Sequence, residues 1–407
     1  MNLTNKKKIR VLYVENGIGY GGAIICLRHL VRHLDKDRFE PMIVTGRTGP
    51  QYQEITNEAA WRYIPDRHID VINLQRKLAM LRWPNSVPGM RFVLKQLLAR
   101  LDDIANFTPF FIHILWTTWR FKPHLLHANN EPLCNRATLL AGKVLRIPVI
   151  CHVRGEQQGS WLMRWLYKLP DHCIAVSEWI SNSIGDVNVP PSKRTVIYDG
   201  IELQKLDLQA DGTVFRKKHS VPENTFAVGL VGLLIPWKGQ RLFLQAARLL
   251  IRDIPDISIL IVGGTPDECY PFEQELRTLA NESDLNGKII FTGHIIDMPA
   301  VYNGLDVVVS ASTSPEPLGT MIIECLMMGR PVVAPRHGGA IEMVEHEHTG
   351  LLFTPNNATD LATQIKRFYK NPALQKKLGS AARVKALATF SVEEHTRQVQ
   401  KIYEQFL

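Results

Sequence analysis

Short apolar runs alternate with amphipathic stretches along most of this chain. Ile9–Val14 is apolar nearly throughout, the pattern of a strand covered on both faces. A polar, glycine-rich stretch (ENGIGYGG, 15–22) follows, and the spacing then predicts a helix from about Ala23 to Leu34. Phe39–Thr45 reads as a second strand, and residues 58–65 carry a short third. Leu125–Ala128, Pro148–Cys151, Cys173–Val176 and Thr195–Ile197 read as further strands, with helices expected over Ala137–Leu145 and Trp161–Tyr167. Residues 202–223 are polar and irregular. A fresh pattern starts at Phe226–Leu230 and continues through helix Arg241–Arg252, strand Ile257–Val262, helix Pro271–Ala280, strand Ile289–Phe291, helix Met298–Asn303 and strand Val307–Ser310. Helices are expected over Thr359–Tyr369, Ala381–Thr389 and Val392–Phe406. Strands alternating with helices on both sides of residue 202 predict two doubly wound α/β domains. The boundaries read as 1–201, a linker at 202–224, 225–385, and a C-terminal helical segment, 386–407, packing back across the domain junction.

Residues 66–122 interrupt this regularity by mixing bulky apolar groups with Arg and Lys. Met90–Asp102 has the spacing of an amphipathic helix, with Arg91, Lys95 and Arg100 among its polar groups. Two readings stay open: a segment that touches a membrane surface or lipid-linked acceptor, and a helical hairpin packed on its own domain. Pro84 and Pro88 interrupt any long helix. The longest apolar stretch, about Phe107–Trp119, contains His113, is broken by Pro109, and is too short to span a bilayer. The basic start MNLTNKKKIRVLYVEN precedes only a β-like run and does not read as a signal peptide.

The 407 residues are 45% hydrophobic, enough for sizeable cores. The net charge of +9 is compatible with nucleic acid, an anionic membrane, phosphorylated substrates, or a soluble enzyme that is simply basic. No recognition motif or long basic stripe points to nucleic acid. The six cysteines match no zinc or thioredoxin spacing, and a reducing, cytoplasmic compartment is expected. Asp35-Lys36-Asp37 spells a DxD but reads as a solvated loop.

The stretch Ser310–Thr354 holds the densest chemistry. A loop with Pro315, Glu316, Pro317 and Gly319 leads into an apolar helix, Thr320–Met328, which Gly329 and Pro331 stop before strand Val332–Ala334. Gly319 permits a close approach, and the N–H groups of the first helical turn can receive an anion. Glu316 precedes that turn, and Glu324 lies on the helix. In the first half, Asn129, Asn130 and the run His152–Glu156 stand at strand ends, where α/β folds place chemistry.

These residues resemble bacterial retaining glycosyltransferases of family 4, with the GT-B fold. The match rests on the paired glutamates of Glu316-Pro-Leu-Gly-Thr-Met-Ile-Ile-Glu324, on Gly329–Pro331–Val332, Gly338–Gly339 with Glu342, and Thr349–Leu352. VGLLIPWKG is similar to the family's phosphate-binding segment, Tyr198–Ile201 to its hinge turn, and the N-terminal glycine loop and Lys122–His127 to further family features. The resemblance implies two Rossmann-like domains facing each other across a cleft. It implies a nucleoside-diphosphate sugar donor, no metal, and a glycan or lipid-linked acceptor in cell-surface polysaccharide synthesis. Such a protein is expected in the cytoplasm, with peripheral contact at the inner face of the membrane. By the same resemblance, Lys238, Gly319 and Thr320 hold the diphosphate, Glu324 the ribose, and Glu316 the donor sugar. Gly21 and Gly22 let the first loop approach the phosphates, and His152 lies near donor sugar and acceptor. Arg154 and Glu156 belong to the acceptor side. One departure is plain: Leu233 occupies the position where the family has a second diphosphate-binding arginine, and Arg154 and Arg336 are candidate substitutes. Asp199 for the usual asparagine is a smaller one. A nucleotide-sugar-binding subunit without catalysis, and a sugar-phosphate synthase or phosphorylase on the same fold, remain alternatives.

Overall fold

The computed structural model describes residues 8–17, 21–80, 89–157, 159–282, 284–285 and 287–407. Gly19 of the first glycine loop, Pro84, Pro88 and the basic N-terminal start lie outside the described residues. The chain divides into two compact units. The first comprises Met1–Val176, Ile180–Ile197 and Thr396–Leu407, and the second Ser177–Trp179 and Tyr198–His395.

The first unit is built on seven strands: β1 (Ile9–Glu15), β2 (Phe39–Thr45), β3 (Ala60–Tyr63), β4 (Leu125–Asn129), β5 (Val149–Val153), β6 (His172–Ala175) and β7 (Arg194–Val196). They run in the order β3-β2-β1-β4-β5-β6-β7, every pair parallel. The order reverses between β1 and β4, which makes the C-terminal end of that pair the crevice where doubly wound sheets bind ligands. Central strands lie under helices on both faces, which is why they read as unbroken apolar runs. Register sets Glu15 opposite Asn129, and Asn129 opposite His152. Strand β5 continues to Val153, so His152 stands inside the strand, fully buried, and not in a loop beyond it. From the C-terminal segment, Tyr403 is buried against this unit. Its hydroxyl lies 3.2 Å from that of Tyr13 and 2.8 Å from His127 Nδ1.

The described residues of 66–122 are mostly helical. Val71–Met80 is one helix, and Met90–Asp102 is another with the predicted bounds. A π-helical turn, Asp103–Phe107, joins the latter to Thr108–Phe121. Pro109 therefore does not break the apolar stretch as expected. It sits in the first turn after the π turn, where one wide turn absorbs the N–H that proline lacks.

The second unit repeats the plan with β8 (Phe226–Val231), β9 (Ile257–Val262), β10 (Ile289–Gly293), β11 (Val307–Val309), β12 (Val332–Pro335) and β13 (Leu351–Phe353). They are parallel in the order β10-β9-β8-β11-β12-β13, reversing between β8 and β11. The pattern along the chain did not predict β13, three buried residues too short to show a period. Nor did it predict a helix within 202–223. Gly212–Lys218 forms one because the Asp211 carboxylate caps it, accepting from Thr213 N at 2.8 Å, and because Phe215 needs a buried place. Gly304 supplies that place, since a Cβ there would stand 2.4 Å from the Phe215 ring. The helix expected over Ala381–Thr389 is longer and starts at Pro372, with Asn371 as its cap.

Candidate functional site

At the reversal point of the second unit, β8 is followed by Gly232 and Leu233, and a 3-10 turn, Pro236–Lys238, leads to Gly239. Gly239 has φ +80°, and a Cβ on it would stand 1.8 Å from the Ala311 carbonyl oxygen. Only glycine lets the turn lie this close to the chain leaving β11. The turn delivers Lys238, whose ammonium is 2.6 Å from Glu316 Oε2 and 4.5 Å over the Trp237 ring.

Glu316 is held from several sides. The Ser312 hydroxyl donates to its other carboxylate oxygen. Its backbone carbonyl accepts from Gly339 N at 2.8 Å. Gly338, at φ +56°, leaves no room for a Cβ, which would lie 2.7 Å from the Glu316 oxygen. His337 Nε2 is 3.0 Å from the Ser312 carbonyl. Burial lowers the affinity of His337 for a proton, so its neutral ring donates there from Nε2. The Gly338–Gly339 pair thus acts as a cradle for the first glutamate.

Gly319 is the N-cap of helix Thr320–Met327 and supplies no side-chain cap, so the first-turn N–H groups stay available. Glu324 lies on that helix. Its Oε2 accepts from the Tyr302 hydroxyl at 2.6 Å. Burial raises the pKa of Glu324 above the usual carboxylate range, while the Tyr302 bond and the Lys205 charge pull it back. Glu342 is engaged elsewhere: its carboxylate accepts from Glu178 N at 2.7 Å and Trp179 N at 2.8 Å.

Leu233, at the departure position, is 49% exposed. The charge of Arg336, at the end of β12, acts on His346 and Asp360, beside β13. The other proposed substitute, Arg154, belongs to the first unit. Its guanidinium reaches Asn129 Oδ1 at 3.3 Å.

In the first unit, Gly21 caps helix Gly22–His33, again without a side-chain bond. A cavity of about 820 Å³ opens there, lined among others by Glu15, Gly21, Gly22, Asn130, Leu162 and Met163. Among the described residues, nothing stands within 4 Å of a Cβ built on Gly21 or Gly22, so this space does not demand glycine. His152 does not line the cavity. Its buried ring lies 5.5 Å from that of His127. The polar centre is instead Glu15, 3% exposed. It accepts from Gly17 N at 2.8 Å, from the Asn130 amide at 2.6 Å and from the Asn129 amide. Burial pushes its carboxyl up to about 7 against these bonds and the nearby Arg154, with Glu131 adding to the rise.

The sequence reading brought Lys238, Glu316, Gly319, Thr320 and Glu324 to one unit, and the structure adds Ser312, Tyr302 and His337 around them. Those three carry no motif signal. Glu15 has one: it is a carboxylate closing the apolar run Val11–Val14 of a central strand. Among the described residues, no three or more His, Cys, Asp or Glu side chains gather in a way that could hold a metal ion. No helix among them is long and apolar enough to cross a membrane.

Residues 20–205 match the model of Glycosyltransferase Family 4, and residues 211–385 that of Glycosyl transferases group 1. The lipopolysaccharide core biosynthesis mannosyltransferase LpsB of Rhizobium meliloti is 23% identical over 340 residues, 82% of this chain and 90% of that protein. The uncharacterized glycosyltransferase MJ1069 of Methanocaldococcus jannaschii is 25% identical over 245 residues, 60% of each. The chain spans less than two thirds of the length of several curated relatives it matches. Among solved structures, HepE of Anabaena in complex with UDP superposes with a TM-score of 0.80 at 21% identity, over 98% of this chain and all of that one. With two Rossmann-like units and both family matches in register with them, the chain belongs to the GT-B glycosyltransferases related to family 4 and group 1.

Proposed function

We propose that this protein transfers a sugar from a nucleoside-diphosphate sugar to a hydroxyl of a glycan or lipid-linked saccharide, with retention at the anomeric carbon. The observation that carries this reading is the Lys238–Glu316 pair, pinned by Gly239 on one side and the Gly338–Gly339 cradle on the other. A mobile cation and the helix N-terminus at Gly319–Thr320 suit a diphosphate. Glu324, oriented by Tyr302, suits the vicinal hydroxyls of a ribose. Structures of HepE hold UDP, UDP with glucose, and UDP-glucose, which supports a uridine nucleotide as the first donor to try.

In the step itself the acceptor oxygen bonds to the anomeric carbon as the bond to the diphosphate breaks. The acceptor's proton passes to the departing phosphate oxygen. The protein holds the two partners together and stabilises the leaving diphosphate, with Lys238 as the cation and Glu316 orienting the sugar hydroxyls. Gly21 and Gly22, which border the first unit's cavity, are the residues of that unit assigned to approach the donor phosphates, and His152, buried in β5, is assigned to the sugar side. The acceptor reading extends to a lipid-linked saccharide met at the inner face of the cytoplasmic membrane through peripheral contact.

The test is nucleotide release from a panel of UDP-, GDP-, ADP- and dTDP-sugars without added metal. Donor-specific release that Glu324→Ala abolishes is expected. A binding-only subunit is favoured by one observation, exposed Leu233 in place of a cation. It predicts that a donor raises the melting temperature without turnover, even when acceptor extracts are supplied.

A further inference from the structure

A separate cavity, of about 240 Å³, opens at the C-terminal edge of the first sheet, among the segments that follow β1, β2, β3 and β4. It shares Asn16, Gly17, Leu133 and Cys134 with the larger cavity beside Gly21 and Gly22, so the two have a wall in common. Three arginines line it: Arg47 after β2, Arg67 after β3, and Arg136 at the start of helix Arg136–Leu145. Two carboxylates, Asp66 and Asp102, line it with them. Ion pairing does not use these cations up. Arg47 meets Asp66 Oδ1 at 3.5 Å, and its buried Nε has no hydrogen-bond partner among the described residues. Arg136 lies 3.9 Å from Asp103, whose closer partner is Arg100 at 3.0 Å, and is held 4.9 Å over the Phe107 ring. Arg67 is exposed, and its charge is felt at Asp66. A partly buried guanidinium short of an acceptor is costly. The wall is also fixed in advance. The π turn Asp103–Phe107 places Asn106, 3% exposed, against the loop that carries Arg67. Asn106 Oδ1 accepts from His68 N at 2.8 Å and Ile69 N at 2.9 Å, and its amide donates to Ile69 O and Asp102, both at 2.8 Å. Such π turns are frequent at functional sites.

We infer that this cavity seats an acidic sugar unit of the acceptor, a hexuronic acid whose carboxylate lies among Arg47, Arg67 and Arg136. The inference deepens the proposed transfer to a saccharide and rests on it. Charge selects the class. Three guanidiniums stand with two carboxylates, so one positive charge is left over, which suits a single carboxylate. A phosphate dianion would bring a second negative charge against Asp66 and Asp102. The planar fork of arginine matches a carboxylate with two parallel hydrogen bonds. The ring hydroxyls of the same sugar donate to Asp66 and Asp102. A neutral sugar would leave the guanidiniums as short of an acceptor as before. The volume is below that of drug-sized pockets and on the scale of one sugar ring. Because the two cavities share a wall, the next unit of the same saccharide lies in the larger one.

The experiment is a ligand-observed NMR titration of the full chain, without donor. The probes are the methyl glycosides of glucuronic acid and of glucose, and glucose 6-phosphate. The glucuronic acid glycoside is expected to bind at least tenfold more tightly than the glucose one, with a preference that shrinks as salt rises. Arg47→Gln and Arg136→Gln should each remove most of that preference. Arg67→Gln changes an exposed position and should reduce it too, so the test stands even where Arg47→Gln, which loses its pair with Asp66, fails to fold. Equal binding of the two glycosides, no binding of either, or a preference that the folded variants keep overturns the inference. So does tighter binding of glucose 6-phosphate, which would assign the cavity to a phosphate. Donor is absent throughout, so the two readings fail separately. Lost nucleotide release with the preference intact sinks the transfer reading, and turnover of donor without any preference sinks the acidic-sugar assignment alone.

Discussion

Lys238 and Glu316, 78 residues apart in the chain, form an ion pair at 2.6 Å with both side chains largely withdrawn from solvent. The pair joins the turn after β8 to the loop before the second unit's glutamate helix. It also means that the one motif cation of this unit is neutralised before any ligand arrives. A diphosphate must compete with Glu316 for it. Lys238→Met should therefore weaken nucleotide binding by about 1.5–3 kcal/mol, the worth of a charge-assisted hydrogen bond. Glu316→Gln should tighten nucleotide binding while lowering sugar transfer. Calorimetry with UDP set beside turnover separates the two effects.

Leu233 gives the complementary test. Its side chain is exposed, so a longer cationic one can be accommodated without disturbing the core. Leu233→Arg should strengthen diphosphate binding by about 1.5–3 kcal/mol, tenfold or more in Kd. An unchanged Kd would mean that another group already fills this role.

Gly239→Ala tests the turn itself. The left-handed conformation costs an alanine about 1–2 kcal/mol, and the added Cβ would collide with the Ala311 carbonyl besides. Loss of stability beyond that strain is expected in urea unfolding, together with loss of nucleotide binding, because Lys238 directly precedes Gly239. Gly21→Ala and Gly22→Ala meet no described residue within 4 Å and should leave stability nearly unchanged.

The contrast among these glycines shows what the chain made legible. The α/β alternation was readable because the strands are covered on both faces and the amphipathic helices keep their period. The donor-side stretches were readable because close backbone approach at positive φ demands glycine, as at Gly239 and Gly338, beside the spaced Glu316 and Glu324. Tyr302, Ser312 and His337 were not, since a partner brought in by tertiary packing leaves no local pattern. His152 was legible as polar at a strand end, but β5 runs two residues further than expected, to Val153, and His152 is buried within it. Gly212–Lys218 was hidden because its single buried anchor, Phe215, is too few to show a period.

Tyr302→Phe isolates one of the unreadable partners. Tyr302 is fully buried, and its hydroxyl is the donor that orients Glu324. Removing it leaves a buried carboxylate short of one bond, at a cost of about 1–3 kcal/mol in stability. The donor KM should rise with kcat little changed if Glu324 binds the ribose in ground and transition state alike. A fall in kcat alone would place Glu324 at the reacting sugar instead.

Glu15 predicts a pH dependence with a definite sign. Its folded-state pKa is raised from the usual carboxylate value to about 7 because the group is buried. Between these values the folded state holds a proton that the unfolded state has lost. The stability contributed by the neutral carboxyl is therefore fully present below about pH 4 and is lost as pH rises through about 7. A shift of this size corresponds to about 3 kcal/mol. Other groups titrate in the same range, so the measurable quantity is a difference. Urea unfolding of wild type and Glu15→Gln at pH 5, 6, 7 and 8 should show the wild type losing stability relative to the variant as pH rises. The change should level off above pH 8. A difference that stays constant across the range would mean that Asn129, Asn130 and Gly17 hold the carboxylate ionised throughout. Glu15 would then be a fixed anion beneath the cavity. If the difference does change, the floor of the cavity between β1 and β4 gains a negative charge near neutral pH. Acceptor binding there should then change over the same interval, which a KM profile for acceptor against pH would detect.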